Sequence, residues 1–419
     1  MTSRIYYTDP YCRRFQASIT KAFVHEGRPA ALLDRTAFYP TSGGQPFDTG
    51  KLFEAGRARE AGGERRGPYG SEFEVIEVLD VDDDVVHILA APVPDGAIVN
   101  AEIDWTRRFD HMQQHTGQHL LSAAFDRLFE NRTVSFHMGS DASTIDLQRE
   151  VSWEQVGLAE AEANRVVWEN REVAIRFVTS EHAAALPLRK EPAREGTLRL
   201  IEVQDFDLSA CGGTHVSRTG AIGSLLVTAA EKFKGGSRVT FACGSRAIRA
   251  FQSLREAVAG SVRLLSVLPR DLPAAVERTQ AEAKDLRRTL RRFQEALAAH
   301  EAARLIGACE VGSGAAVVIV EAIDGWDANG LKAIAMHIAA QANAAVALFS
   351  NASPRAGVIT RSPGVPVDAS AVLGALIERF GGRGGGKADL AQGGGFGGEL
   401  SAILGTARRL LESGPLSIS

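Results

Sequence analysis

Short apolar stretches separated by polar turns fill the first hundred residues. They lie at 19–24, 30–33, 74–79 and 85–89, and clusters of Gly, Pro and Asp divide them. Apolar runs of this length between turn residues are typical of β-strands. The pattern therefore predicts a Gly-rich β domain over residues 1–100, with the charged segment 55–70 as an exposed loop.

Near Asp104 the apolar period changes from that of strands to that of a helix. Apolar and small residues now repeat at steps of three and four, at Phe109, Met112, Thr116, His119 and Ala123. Asp104 or Thr106 can cap this helix, and residues 131–133 end it. A second helix is expected at 153–170, with strands at 173–178, 198–203 and 223–228. We interpret residues 101–250 as an α+β domain.

An apolar stripe with heptad spacing follows residue 270. It consists of Val276, Thr279, Ala283, Leu286, Leu290, Phe293 and Leu297. Steps of three and four residues are typical of a helix that packs against another helix. We expect a helix over 274–304, about 45 Å long, in a coiled-coil-like linker at 251–306. Its partner helix belongs to the same chain or to a second copy, so a homodimer is one expectation. Its basic side chains are interpreted as a solvated face rather than an RNA contact.

Strands and helices alternate from residue 307 onward and predict a small α/β domain over 307–419. The expected strands are 315–321, 345–349 and 356–360, and the expected helices are 331–343, 369–379 and 400–411. The glycine-rich segment 381–387 reads as a loop and nearly spells a phosphate-binding P-loop. Ala388 lacks the magnesium-binding hydroxyl and the segment follows a helix, so nucleotide hydrolysis is excluded. Free N–H groups with Arg383 and Lys387 can still hold an RNA phosphate.

Composition and charge narrow the class of protein. With 45% hydrophobic and 23% charged residues the chain is typical of soluble globular proteins. We expect a cytoplasmic protein, because the start has no signal-peptide core, no run spans a membrane, and four cysteines are too few for a disulfide framework. Residues 1–250 carry 29 Lys and Arg against 35 Asp and Glu, and residues 251–419 carry 18 against 16. A nucleic acid would therefore meet local basic patches only.

Two short segments carry residues that bind metals. His115 and His119 stand four apart on the predicted helix and so share one face, although His111 and His115 form a competing pair. Cys211 and His215 flank two glycines that can fold the segment so that both side chains reach one centre. Nitrogen and sulfur donors together favour zinc over magnesium or calcium. The spacing leaves open whether zinc is structural or catalytic.

A third polar cluster occupies residues 36–50. Gly43 and Gly44 permit close approach of the backbone to a ligand, while Gln45 and Thr36 offer hydrogen-bonding groups. From the residues alone, a polar turn between strands is the favoured interpretation. No Gly-x-Ser-x-Gly elbow occurs, so serine hydrolase chemistry has no support.

Longer segments around these residues resemble the editing half of alanyl-tRNA synthetase, and even more its free-standing relatives, the AlaX alanyl-tRNA editing proteins. The resemblance rests on Phe38-Tyr-Pro-Thr-Ser-Gly-Gly-Gln-Pro46, His115-Thr-Gly-Gln-His-Leu-Leu121, Cys211-Gly-Gly-Thr-His-Val216, Arg132-Thr-Val-Ser-Phe-His-Met-Gly139 and Thr144-Ile-Asp-Leu147. Gly384-Gly-Gly-Lys-Ala-Asp-Leu-Ala-Gln-Gly-Gly394 is similar to the signature of the tRNA-binding C-terminal domain of the synthetase. The resemblance runs from about residue 5 to 415 and matches the large AlaX type.

The resemblance implies a fold and a set of site residues. The fold is a Gly-rich β-barrel, a two-layer α/β zinc editing domain, a helical linker and the C-terminal domain. The implied zinc ligands are His115, His119, Cys211 and His215, which sets His111 aside. Thr36 is expected to distinguish serine from alanine through its hydroxyl, and Gly43, Gly44 and Gln45 to line the pocket. The sequence departs from the family pattern at Gly117-Gln118, where Ala-Thr is more common, and at the 55–70 insert.

The implied function is zinc-dependent hydrolysis of tRNA(Ala) wrongly charged with serine, with glycine as a second candidate. Because the chain opens on the editing-type region, we expect it neither to charge tRNA nor to bind ATP. A zinc-stabilised RNA-binding protein without catalysis is the rival interpretation. A phosphodiesterase, suggested by the C-terminal domain, is disfavoured since the Asp-His-His metal motif is missing.

Overall fold

The chain divides into two compact units, Met1–Gly260 and Ser261–Ser419, which are described separately. The structure is a computed structural model, and it describes residues 2–54, 71–82, 84–189, 196–309 and 316–413. The predicted loop at 55–70 lies outside these residues.

A closed six-stranded barrel forms the first part of unit 1. The strands of this part are β1 (Ser3–Arg4), β2 (Arg14–His25), β3 (Arg28–Leu33), β4 (Arg35–Thr36), β5 (Gly50–Glu54), β6 (Glu72–Val81), β7 (Asp84–Leu89) and β8 (Ile98–Ile103). The barrel closes in the order β2-β3-β7-β6-β5-β8. Alternate residues such as Phe73 and Val75 point into its core, which gives the two-residue period expected of half-buried strands. The predicted barrel is confirmed.

A long helix, α1 (Trp105–Phe129), leads out of the barrel. The Asp104 carboxylate accepts a hydrogen bond from the Arg107 N–H at 3.1 Å, so Asp104 rather than Thr106 caps the helix. Glu130 ends it in a left-handed conformation with φ 51°. Most of α1 is buried, including the turn that carries both histidines.

Two small sheets and a second long helix surround α1. Their elements are β9 (Thr133–Met138), β10 (Ser143–Leu147), α2 (Trp153–Trp168), β11 (Val173–Thr179), α3 (Ser180–Ala184), β12 (Thr197–Val203), β13 (Asp207–Ala210), β14 (Leu225–Phe233), β15 (Gly236–Cys243) and α4 (Gly244–Leu265). The sheets have the orders β14-β15-β10-β9 and β11-β12-β13. The periodicity predicts α2, β11, β12 and β14, but it does not predict β9, β10, β13 or β15.

Unit 2 combines the longest helix with a five-stranded sheet. Its elements are α5 (Leu272–Gly307), β16 (Val317–Ile323), α6 (Ala328–Gln341), β17 (Ala344–Ser350), β18 (Arg355–Arg361), α7 (Ala369–Phe380), β19 (Arg383–Gly386), β20 (Leu390–Phe396) and α8 (Leu400–Glu412). The sheet order is β16-β17-β18-β20-β19. The predicted long helix is confirmed, and Leu286, Leu290, Phe293 and Leu297 of its heptad stripe are exposed. None of the helices in the described ranges has the length and apolar character to cross a membrane.

The glycine-rich segment near residue 384 is a hairpin, so the prediction of a loop was wrong. β19 and β20 pair antiparallel, and Lys387 N donates to Leu390 O at 2.8 Å across the turn. A Cβ on Gly384 would lie 2.5 Å from Gln392 O, so the neighbouring strand requires glycine there. Glycine here allows close strand pairing, whereas composition alone had indicated a turn.

Candidate metal centre and its cavity

Four side chains of unit 1 converge on one point. His115 and His119 lie one turn apart on α1, and Cys211 and His215 lie in the loop after β13. One ligand atom from each falls within 4.8 Å of all the others. The three histidines are buried, with 4% exposure or less. The set is the one that the resemblance implied, and it could hold a metal ion.

Oxygen atoms hold the outward-facing nitrogen of every imidazole in the cluster. His115 Nδ1 lies 2.8 Å from Gln45 Oε1, and His119 Nδ1 lies 2.8 Å from Asp207 Oδ2. His215 Nδ1 lies 3.2 Å from Thr116 Oγ1. A proton on each Nδ1 leaves the lone pair of each Nε2 free, and Cys211 Sγ lies 3.4 Å from His115 Nε2 and 3.3 Å from His215 Nε2. This arrangement fits a metal ion, because metal-binding histidines hold their second nitrogen in this way.

The electrostatics of the cluster favour the metal-binding protonation states of Cys211 and His215, whereas His119 differs. Burial raises the pKa of the Cys211 thiol, yet the facing imidazoles outweigh burial and hold this pKa well below its ordinary value. Burial lowers the pKa of His215 to about 3 and keeps the ring neutral. Burial also lowers the pKa of His119, but hydrogen bonds to Asp207 and Cys211 leave it above its ordinary value. A metal would therefore compete with a proton at His119.

Glycines make room for the cluster in a way that differs from the prediction. Neither Gly212 nor Gly213 has a positive φ, so the loop does not need glycine for its backbone conformation. A Cβ on Gly213 would instead overlap the imidazole of His115. Gly44, with φ 85°, also faces a neighbour, since its Cβ would lie 2.8 Å from Phe136 O. Close approach therefore explains glycine at Gly213, and at Gly44 it acts together with the left-handed backbone conformation.

A cavity of about 250 Å³ opens beside the cluster. His115, His119 and Cys211 lie on its wall, together with the turn around Gly43 and the strand β9. Its lining residues are Tyr39, Ser42, Gly43, His115, Gln118, His119, Arg132, Thr133, Val134, Ser135, Phe136, Arg189, Ser209, Ala210, Cys211, Gly212 and Gly213. Of the four predicted pocket residues, Gly43 alone is among these described lining residues.

Thr36 lies in the barrel interior rather than at the cavity. Its side chain is fully buried, and its Oγ1 lies 2.8 Å from His87 Nε2 while accepting from Phe38 N at 3.1 Å. Burial lowers the pKa of His87 to about 4, so the ring is neutral. Its Nδ1 faces Ala31 O at 3.3 Å, which favours a proton on Nδ1 and leaves Nε2 to accept from Thr36. The hydroxyl is thus committed to groups of the protein.

Gln45 acts behind the cavity wall. Its Oε1 accepts from Thr214 N at 3.0 Å as well as facing His115, and its Nε2 donates to Thr214 Oγ1 at 2.8 Å. A single buried amide therefore joins the barrel turn, the helix and the ligand loop. Gln45 was expected to line the pocket. It instead contacts His115, one of the four side chains of the cluster, and is not among the described lining residues.

A buried ion pair fixes the same turn to α1, and sequence reasoning missed it. Arg108 and Asp48 are both fully buried, and Arg108 Nε lies 3.0 Å from Asp48 Oδ2. Arg108 Nη1 donates to Pro10 O at 2.9 Å, and Asp48 Oδ2 accepts from Tyr39 N at 2.6 Å. Removing either partner would leave an uncompensated buried charge. Nothing in the spacing of these residues marks them as partners.

The departure at Gly117-Gln118 has a physical reason at its first position. A Cβ on Gly117 would overlap Sγ of Cys243, which is fully buried on β15. The larger cysteine therefore takes the space that an alanine at 117 would fill. Gln118 donates to Ser122 Oγ at 2.8 Å and reaches the cavity.

The remaining candidates are not members of the cluster. His111 is buried but is not one of the four converging side chains, and its Nδ1 has no hydrogen-bond partner within the described residues. Arg383 and Lys387 belong to the β19–β20 hairpin of unit 2, and both are exposed.

Comparison with known proteins follows the same division of the chain. A family model described as the DHHA1 domain matches residues 315–413, and one described as the threonyl and alanyl tRNA synthetase second additional domain matches residues 198–240. The second match contains both Asp207 and the loop of Cys211 and His215.

Individual relatives extend the likeness over nearly the whole chain. The alanyl-tRNA editing protein AlaX-L of Pyrococcus horikoshii is 29% identical over 404 residues, which is 94% of each chain. The alanine–tRNA ligase of Pyrococcus furiosus is 32% identical and matches 71% of this chain, and that of Halobacterium salinarum is 34% identical and matches 94%. The chain spans only 32% and 42% of these two ligases. Over nearly its whole length the chain is thus similar to a free-standing alanyl-tRNA editing protein, and it matches less than half of the length of these ligases.

Proposed function

We propose that the protein hydrolyses the ester bond of tRNA(Ala) that carries the wrong amino acid, most often serine and in some cases glycine. The observation that carries the proposal is the convergence of His115, His119, Cys211 and His215, three of which (His115, His119 and Cys211) line the neighbouring cavity. The likeness to an alanyl-tRNA editing protein over 94% of both chains supplies the substrate class.

Zinc is the metal that we propose for the cluster. Three imidazole nitrogens and one thiolate sulfur are donors that zinc prefers, and calcium and magnesium require oxygen. When bound, zinc would supply a Lewis acid that can hold a polar group of the substrate or polarise the ester. The remaining work falls to the residues of the cavity.

The cavity offers groups that orient an aminoacyl ester. Its volume of about 250 Å³ admits an amino acid with part of the terminal ribose. The Phe136 ring stacks on His115 with centroids 5.4 Å apart, and it keeps water from that side of the cluster. Arg132 lies at the wall with a largely exposed side chain, where it can meet a phosphate of the acceptor end.

For Thr36 we propose a role other than direct contact with the serine of the substrate. Because its hydroxyl is committed to His87 and Phe38, we propose that it shapes the turn that leads to Gly43 and Gln45. Selection of serine would then depend on groups that line the cavity. A site that hydrogen-bonds the serine hydroxyl rejects alanine, since its polar partner would stay unpaired.

The C-terminal unit is proposed to contact the tRNA body. Arg383 and the glycines around it line a groove of about 830 Å³. The exposed backbone of β19, an edge strand, and Lys387 add further groups for phosphate contact. The rival interpretation, an RNA-binding protein without catalysis, shares this surface and differs at the metal cluster.

We also propose a homodimer through α5. Leu286, Leu290, Phe293 and Leu297 are between 56% and 70% exposed, which is unusual for a regular apolar stripe on one helix. A heptad stripe can pair with its own copy by knobs-into-holes packing. A cytoplasmic location remains part of the proposal.

Mischarged tRNA tests the proposal directly. Purified protein is mixed with seryl-tRNA(Ala), glycyl-tRNA(Ala) and alanyl-tRNA(Ala), before and after metal removal. Release of serine that depends on zinc supports editing. Tight binding without release would favour the non-catalytic interpretation.

A further inference from the structure

A buried carboxylate touches the metal cluster from outside. The Asp207 side chain is fully buried at the start of β13, and its Oδ2 accepts from His119 Nδ1 at 2.8 Å. Burying a carboxylate without charged partners is strongly unfavourable. Its presence beside His119 therefore requires compensation.

Arg189 provides that compensation. Its Nε lies 2.6 Å from Asp207 Oδ1, and its Nη2 lies 3.1 Å from Oδ2. Ser209 Oγ donates to the same carboxylate at 3.1 and 3.2 Å. The two oxygens are thus held in one orientation, in which Oδ2 faces the imidazole.

We propose that Asp207, fixed by Arg189, positions His119 for metal binding and strengthens it as a donor. The inference rests on the proposed metal site and assigns Asp207 and Arg189 as positioning residues. Of the three imidazoles, His119 has the charged partner, whereas His115 faces the neutral amide of Gln45 and His215 the neutral hydroxyl of Thr116. A carboxylate partner fixes the ring and raises its basicity more than a neutral oxygen does.

Charge and position explain why both residues are needed. The Asp207 carboxylate faces the guanidinium of Arg189 with both oxygens, while Oδ2 also faces His119, so the charge of Arg189 is the compensation that the buried carboxylate needs. Arg189 also lies on the cavity wall with 14% of its side chain exposed, so the pair links the cavity to the cluster. Asp207 itself is held in register by pairing with Val203 of β12.

Metal affinity of the full chain is the test, measured by competition with a chelator for zinc. We expect Asp207→Ala to raise the zinc dissociation constant by roughly 10- to 100-fold, because lost partners of metal ligands have effects of this size. Asp207→Asn keeps an acceptor oxygen and should lose less. If Arg189 acts through Asp207, the single variant Arg189→Met should weaken zinc binding. The same substitution should cause little further loss in a chain that already carries Asp207→Ala.

Asp146→Ala is the matched control. Asp146 forms a similar two-point ion pair with Arg238, at 2.7 and 2.9 Å, on the sheet of β10 and β15. It should lower the unfolding temperature without changing zinc affinity. Cobalt substitution adds a second readout, since the absorption bands of Co²⁺ should shift in Asp207→Ala and not in the control.

Failure of the metal site and failure of the role of Asp207 give different results. Wild-type protein that binds neither zinc nor cobalt would overturn the metal site itself. Wild-type protein that binds zinc, with Asp207→Ala binding it equally tightly and with an unchanged cobalt spectrum, would overturn the role of Asp207 alone.

Discussion

Gln45 Oε1 lies 2.8 Å from His115 Nδ1, although 70 positions separate the two residues in the chain. The same oxygen accepts from Thr214 N at 3.0 Å. The barrel turn therefore holds one of the four side chains of the candidate metal centre. The barrel thus contributes a residue that orients His115 in this cluster.

Substitution of Gln45 by Met should weaken metal binding. The variant keeps the volume but removes both oxygen contacts, which leaves His115 free to turn and Thr214 N unpaired. We expect a loss of zinc affinity of about tenfold or more and a loss of stability of about 1–3 kcal/mol.

Gln114→Met is the control for this variant. Gln114 is also fully buried on α1, and it bonds Cys243 N at 2.8 Å and Cys243 O at 3.0 Å. It should lose comparable stability by chemical denaturation and retain zinc. Equal zinc affinity in the two variants would show that Gln45 has no special part in the metal centre.

Gly213→Ala should displace His115, whose imidazole occupies the space of the added methyl group. Zinc content per chain and seryl-tRNA deacylation should both fall by about tenfold or more, since a misplaced ligand breaks the site geometry. Gly212→Ala offers the comparison one residue away, because its Cβ would lie 3.9 Å from the Tyr7 ring. Were both variants to keep full zinc content, the close packing at Gly213 would not matter for the centre.

Thr36→Val should lower stability and change the rates on seryl- and alanyl-tRNA(Ala) by the same factor. The reason is that its hydroxyl bonds His87 and Phe38 within the barrel and does not reach the cavity. Thr36→Ser keeps the hydroxyl and should restore most of the lost stability. Rates measured on both substrates decide the matter, since a selective loss of the serine preference would return Thr36 to direct recognition.

Leu290→Lys should weaken a dimer formed through α5. A charge in the centre of the apolar stripe would be buried on pairing, at a cost that the interface cannot offset. Thr289→Lys adds the same charge one position away, off the stripe, and should leave assembly unchanged. Sedimentation equilibrium measures the assembly of both variants. A wild-type chain that stays monomeric at all concentrations would contradict the proposed dimer.

The sequence predicts those parts of the fold and site that depend on local spacing. Two histidines four apart on a helix share a face, and the heptad steps predict a long helix at α5. Contacts between distant segments are not encoded in any spacing. Asp207 lies 88 positions from His119, and Asp48 lies 60 positions from Arg108. Close packing between elements cannot be predicted from spacing either. Glycine is required at position 117 because Cys243 of another element occupies the space of a side chain there.

The most direct test of the central claim is the rate of serine release from seryl-tRNA(Ala) by zinc-loaded, metal-free and zinc-restored protein. We expect rapid release with zinc, loss of release after removal of the metal from His115, His119, Cys211 and His215, and recovery when zinc returns. Equal release by all three preparations, or no release by zinc-loaded protein, would contradict a zinc-dependent editing site.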